Sequence, residues 1–221
     1  MSLNPWKKKE PENLSPEEVR FNRGYDRLFG FGLPEYILTS LQSQRSFVIA
    51  HALKVKMPDF YPVVPLGDVN LPTQLSWLSG KRAPSLPHYR RWPKCRFGSL
   101  PNLPWFIFGV TVTNCLDHSV EDGANRLVGE GEELLTLPEV IAFLLEEKRI
   151  QDETPNEPHP IKLSLSIFHL VGNMDGNNWP VLTCDKGGVT MVSKQDSALI
   201  SHGRVDNILL STPHRKCFIL K

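Results

Sequence analysis

Apolar residues first recur at helical spacing near the start of the chain, where Phe21, Tyr25, Leu28 and Phe29 fall on one face. The residues just before them carry a start signal. Ser15 can cap a backbone N–H, Pro16 suits the first helical position and Glu18 can complete a capping box. Gly30 and Gly32 end this helix. Pro34 opens a second, with Ile37, Leu38 and Leu41 as its buried stripe, and residues 45–55 fit a helix or a strand equally. Thr136, Leu137, Pro138 and Glu139 repeat the start signal. They predict a longer amphipathic helix over about 137–148, with Val140, Ile141, Phe143, Leu144 and Leu145 facing inward.

Other stretches read as strands. Residues 59–66 predict a buried extended segment, held to a sheet edge by Pro62 and Pro65. Residues 67–103 show much proline and little periodicity, and read as irregular. The strongest strand is 104–114, PWFIFGVTVTN, aromatic and β-branched between turn formers. A further strand is expected at 162–171, a turn on Asp175 and Gly176, a hairpin pairing 181–184 with 189–193, and a last short strand at 217–220. This order predicts an α+β fold, N-terminal helices packed on a mostly antiparallel sheet. Residues 1–14 form a polar arm, and 15–221 a single domain with a polar, proline-containing connection at 151–160.

The composition, 40% hydrophobic and 22% charged, is that of a globular protein and excludes a disordered one. No apolar stretch approaches the roughly 18 residues of a membrane helix, and no apolar region follows the early lysines to make a secretory signal. Cys95, Cys115, Cys184 and Cys217 are far apart, which argues against zinc-ribbon and thioredoxin chemistry. Reduced thiols in a cytoplasmic protein are the expectation.

Charge changes the picture more. Residues 1–100 carry 15 Lys and Arg against 8 Asp and Glu, whereas residues 101–160 carry 3 against 12. The sharpest feature is the run 81–96, KRAPSLPHYRRWPKCR, which has no acid. Such a run can grip an anion or face the acidic segment that follows it.

Several pieces in sequence resemble a family of uncharacterised bacterial proteins, mainly actinobacterial. They are FNRGYDRLFGFGLPE at 21–35, FYPVVPLGDVNLP at 60–72, PWFIFGV at 104–110, VEDGANR at 120–126, LLTLPEVIAFLLE at 134–146 and WPVLTC at 179–184. The tryptophan-rich ending of that family is replaced here by DKGGVTMVSKQDSALISHGR. The resemblance implies a bacterial cytosolic protein and a shared fold, and transfers no catalytic residue.

The candidate ligand-binding residues lie in the basic run. Arg82, Arg90, Arg91, Lys94 and Arg96 could neutralise phosphates, Tyr89 and Trp92 could stack on bases, and His88 lies among them. Against a dedicated nucleic-acid domain stands a pI near 7.7. Secondary candidates are Cys115 with His118 and Asp117 as a nucleophile and its base, and His202 with Arg204 and Ser201 as an anion site. Cys95, between Lys94 and Arg96, would have a lowered pKa if exposed. The histidines are dispersed, and residues 117–123 only faintly resemble a calcium loop, so no metal and no organic cofactor are expected. The expected function is a non-catalytic binding or interaction protein acting through 81–96. An enzyme with a Cys or His/Arg site and a nucleic-acid or polyanion binder are the alternatives. The sequence leaves the partner unidentified and points to no membrane association.

Overall fold

The capping box at Ser15 forms as its residues predict. Glu18 N donates to Ser15 Oγ at 3.2 Å, and Ser15 N donates to Glu18 Oε2 at 3.1 Å. Helix α1 (Pro16–Gly30) starts there and ends before Gly32, which takes a φ of +71°. Helices α2 (Glu35–Ser43) and α3 (Arg45–Val55) follow, which settles 45–55 as helical. Together the three helices bury Phe21, Leu28, Ile37, Leu41, Val48 and Ala52 in one cluster. This computed structural model describes residues 14–79, 101–115, 119–155, 157–159, 161–173, 179–185, 188–193 and 206–218. The polar arm and the turn on Asp175 and Gly176 lie outside the described residues.

Two sheets carry the strands. Strands β1 (Phe60–Val63), β2 (Trp105–Phe108) and β9 (His214–Lys216) form an antiparallel sheet in the order β1-β2-β9. Pro62 is tolerated because β1 is an edge, as its prolines predict. The larger sheet contains β3 (Thr111–Asn114), β5 (Ser166–His169), β6 (Pro180–Asp185), β7 (Gly188–Ser193) and β8 (Asp206–Thr212). Its order is β3-β8-β5-β6-β7, and the short β4 (Glu133–Leu134) also pairs with β8. Among the described residues only β5 and β8 pair in parallel, so the α+β, mostly antiparallel architecture holds.

Several elements differ from the sequence expectation. The strand expected over 104–114 is two strands in different sheets. Gly109, at φ +64°, bends the chain, and Pro213 breaks the partner strand opposite it. At the bend the Thr212 hydroxyl donates to Phe108 O at 2.6 Å, so the carbonyl is not left unpaired. A side chain on Gly109 would need a disfavoured backbone conformation and would meet Met57 Sδ at 2.8 Å. Within 67–103, read as irregular, lies helix α4 (Leu71–Ser79). Asn70 Oδ1 accepts from Thr73 N at 3.0 Å, and Leu71, Leu75 and Leu78 enter the core. Residues 119–123, within the faint calcium-loop resemblance, begin helix α5 (Val120–Gly129), with Ser119 as its cap. Strand β8 has no counterpart in the sequence reading. The strand expected at 162–171 shrinks to β5 between two 3-10 turns, and the last described strand precedes 217–220. The hairpin is as expected, with Val181 opposite Val192 and Cys184 opposite Val189.

The expected amphipathic helix is α6 (Leu137–Glu153), five residues longer than 137–148 and buried on every side from Leu137 to Glu147. It is buried because it lies between the sheets. One cluster joins it to Tyr61, Val63, Trp105 and Ile107 of the smaller sheet and to Phe168, Leu182, Ile208 and Leu210 of the larger. The unbroken apolar run 140–145 suits that position. Helices α1–α3 cover the far face of the smaller sheet through Phe60, Phe106 and Phe108. On the far face of the larger sheet, Ala124 and Leu127 of α5 pack with Trp179, Val181 and Leu209. Among the described residues no helix is long and apolar enough to cross a membrane.

Glu139 locks α6 in place. Fully buried, its Oε2 accepts from Thr136 N at 2.8 Å, Thr136 Oγ1 at 2.7 Å and Arg215 Nη2 at 2.8 Å. Its Oε1 accepts from Trp105 Nε1 at 2.9 Å and from Arg215 Nε. Removing one partner of a buried ion pair costs about 3–5 kcal/mol, because the other is left charged and unpaired. Glu139→Ala is therefore expected to lower the free energy of unfolding by an amount in that range, seen as a lower urea midpoint at unchanged m-value when tryptophan fluorescence is titrated.

Candidate functional site

Among the described residues the densest array of perturbed ionisable groups lies beside the edge strand β1, where arginines of α1 reach α6. Arg20 and Arg27 sit seven residues apart on α1 and so share a face. Gly24 between them lies against Pro62, whose Cγ would be 3.0 Å from an added Cβ, so α1 packs closely on the edge strand β1 and both arginines reach past it to α6. There they meet Glu146, whose side chain is 1% exposed. Arg149 Nη2 donates to Glu146 Oε1 at 2.7 Å, and Arg20 Nη1 reaches the same oxygen at 3.5 Å. Arg27 Nη2 lies 2.8 Å from Oε2 without hydrogen-bond alignment. Arg20 also approaches Asp59 at 3.5 Å, donates to Phe60 O at 3.2 Å and lies 4.7 Å over the Tyr61 ring. Arg149 is bound to Glu153 as well.

Three guanidiniums thus converge on one buried carboxylate. Two of their donors, Arg27 Nη1 and Arg149 Nε, are buried without a hydrogen-bond acceptor. Burial opposes ionisation of Glu146, but the Arg149 hydrogen bond and the charges of Arg27 and Arg20 outweigh it and hold the carboxyl below its ordinary range. Burial likewise pulls Arg27 below its ordinary value, against the charge of Glu146. Glu147, next along the helix and also buried, goes the other way. Burial raises it, Glu146 and Asp59 add to the rise, and Arg20 and His159 oppose it. Tyr61 of β1, beneath Arg20, is pushed up to about 12 by burial against the pull of Arg20. One carboxyl held ionised beside one inclined to keep its proton is an arrangement suited to proton transfer.

The candidate binding residues Arg82, His88, Tyr89, Arg90, Arg91, Trp92, Lys94 and Arg96 lie outside the described residues, as do Cys95, Asp117, His118, Ser201, His202 and Arg204. Cys115 is described. It follows β3, is 5% exposed and packs among Ala124, Leu127, Trp179 and Leu209. Burial pushes its thiol up, against the opposing charge of Arg126, whereas an attacking thiolate needs a lowered value. Cys115, Cys184 and Cys217 are unbridged. Ser119 and Asp122, once read as part of a faint calcium loop, are engaged at the start of α5, where Asp122 N donates to Ser119 Oγ at 3.1 Å. Among the described residues no group of three His, Cys, Asp or Glu is placed to hold a metal ion.

Sequence reading passed over Arg20, Arg27, Tyr61, Glu146 and Glu147. A signal existed in the two arginines seven apart and in the paired glutamates that close an apolar run. No family model matches the chain, and no curated protein or solved structure is significantly similar to it.

The two glutamates give opposite pH dependences. Glu147 titrates higher folded than unfolded, so its contribution is complete below the ordinary carboxylate range and is lost as pH rises through its folded value. Glu146 titrates lower folded, so its contribution is present above that range and is lost as pH falls. Glu147→Gln is expected to be more stable than wild type at about pH 7.5 and to lose that advantage near about pH 4. Glu146→Gln is expected to be about 3–5 kcal/mol less stable at about pH 7.5. Urea denaturation across this pH range checks both.

Proposed function

We propose that this chain is a non-catalytic cytosolic binding protein whose contact surface includes the basic aromatic run 81–96, and that its partner is anionic. The main support is where the acidic charge of the middle segment goes. Internal pairing with Glu121–133 is the simplest alternative role for the run. Yet Glu133 is bound to Arg215, and Glu132 accepts from Thr111 Oγ1 at 3.1 Å and Ser211 Oγ at 2.6 Å. Further along, Glu139 is bound to Arg215, and Glu146 to arginines of α1 and α6. These acids are thus engaged by residues other than the run. A concentration of cation and aromatic side chains then suits an external anion, whose phosphates or carboxylates release counterions on binding. The family resemblance adds a bacterial origin and supplies no activity.

The test is binding to heparin and to a single-stranded oligonucleotide as salt is varied, for wild type and for Arg90→Ala/Arg91→Ala. Binding that weakens steeply with salt, and weakens further in the double variant, is the expected result. Failure of the folded wild type to bind either polyanion at low salt would refute a polyanionic partner. Unfolding of the double variant would assign the run to packing.

A second reading, an enzyme that transfers protons, is favoured by one observation, the buried Glu147 beside Tyr61 and Arg20. Carbon-13 NMR of the glutamate carboxyls tests it. A Glu147 resonance titrating near neutral pH supports this reading, and titration in the ordinary carboxylate range removes it.

A further inference from the structure

The C-terminal half of α6 has a second polar face, turned away from the arginine cluster. Lys148, Gln151 and Asp152 recur there at helical spacing and form one wall of a cleft of about 420 Å³. Leu78 from the last turn of α4, Leu163 from the 3-10 turn before β5 and Cys184 from β6 also line it. Leu78 and Leu163 are 3% and 8% exposed, so they make a solid apolar floor. Gln151 is fixed by donating to Ile161 O at 2.7 Å. The volume falls within the roughly 300–1,000 Å³ typical of small-molecule sites, which likewise combine apolar walls with a few polar groups.

The polar groups define the ligand. Lys148 Nζ lies 3.6 Å from Asp152 Oδ2, and the two side chains are 42% and 69% exposed. With the cation N-terminal to the anion, this is the less favourable order for an i,i+4 pair. Such a pair is readily opened, and it then offers one positive and one negative group close together over an apolar floor. A simple anion or cation would use only half of that arrangement.

We propose that the cleft binds a small zwitterion with an apolar side chain, an amino acid or short peptide. Its carboxylate meets Lys148, its ammonium meets Asp152, and its side chain lies on Leu78, Leu163 and Cys184. The Cys184 thiol, covered by that side chain, reports occupancy. This site does not depend on the run 81–96 or on the Glu147 cluster.

The probe is leucyl-leucine, compared with its N-acetyl and C-terminal amide forms. Alkylation of Cys184 by iodoacetamide is followed by peptide mass spectrometry on the full chain, with calorimetric titration in parallel. The free dipeptide is expected to slow alkylation about tenfold at ten times its Kd, as occupancy requires. Each capped form, and the dipeptide against Lys148→Gln or Asp152→Asn, is expected to bind at least about tenfold more weakly, which at the same concentration cuts the protection to about twofold or less, consistent with loss of a charge-assisted contact. Both substituted side chains are substantially exposed, and circular dichroism verifies that the variants fold. The proposal is overturned by unchanged alkylation and no binding heat at about 10 mM dipeptide, well above the Kd of about 1 mM that a useful small-ligand site would show. Equal protection by the capped forms overturns it too.

Discussion

The Glu139 carboxylate is the constraint on which the rest of the structure depends. It sits at the first turn of a helix held between two sheets, where an unpaired charge could not be tolerated. The surrounding elements satisfy it from three directions. The helix supplies its own capping donors, β2 supplies Trp105, and β9 supplies the Arg215 fork. Because β2 and β9 are neighbours in one sheet, the same oxygens that start α6 also set where that sheet lies against it. The bend at Gly109 and Pro213 is part of the same device. It lets two long segments pair in the larger sheet and then turn, still paired, into the smaller one.

Two turns further along α6, Glu146 presents a contrast. Both carboxylates are buried and both meet arginine, but Glu139 matches its donors whereas Glu146 faces three guanidiniums with donors left over. A saturated network makes a rigid joint, and an under-satisfied one keeps electrostatic free energy in place. Glu147 sits beside this second network with no ion pair among the described residues, and burial drives its carboxyl toward the protonated form. One helix therefore carries a structural charge at its start and chemically responsive charges near its end.

This division also bears on the lopsided charge of the chain. Read linearly, an acidic segment follows a basic one, and local pairing looks natural. In space, acids of the middle segment are met by arginines from α1 and β9, 76 and 126 residues away for the bonds to Glu139 and Glu146. That long-range use of acid is the support for the anionic partner proposed for the basic run.

What the sequence determined by itself was local. The capping boxes at Ser15 and Thr136, the apolar stripes of α1 and α2, the edge position of a proline-bearing strand and the β6–β7 hairpin all follow from forces acting over a few residues. Helices α4 and α5 also had local signals, Asn70 before Pro72 and Ser119 before Asp122, but they were short and lay among turn formers. Tertiary structure alone decided the rest. Strand β8 is central because others pair with it, not because Ile208–Leu210 is a long run. Likewise α6 is buried all round because two sheets close over it. Periodicity tells a residue which side of its own element it faces, but it carries no information about which distant element will be there. The partners of Glu139 and Glu146, and with them the candidate site, were set by topology.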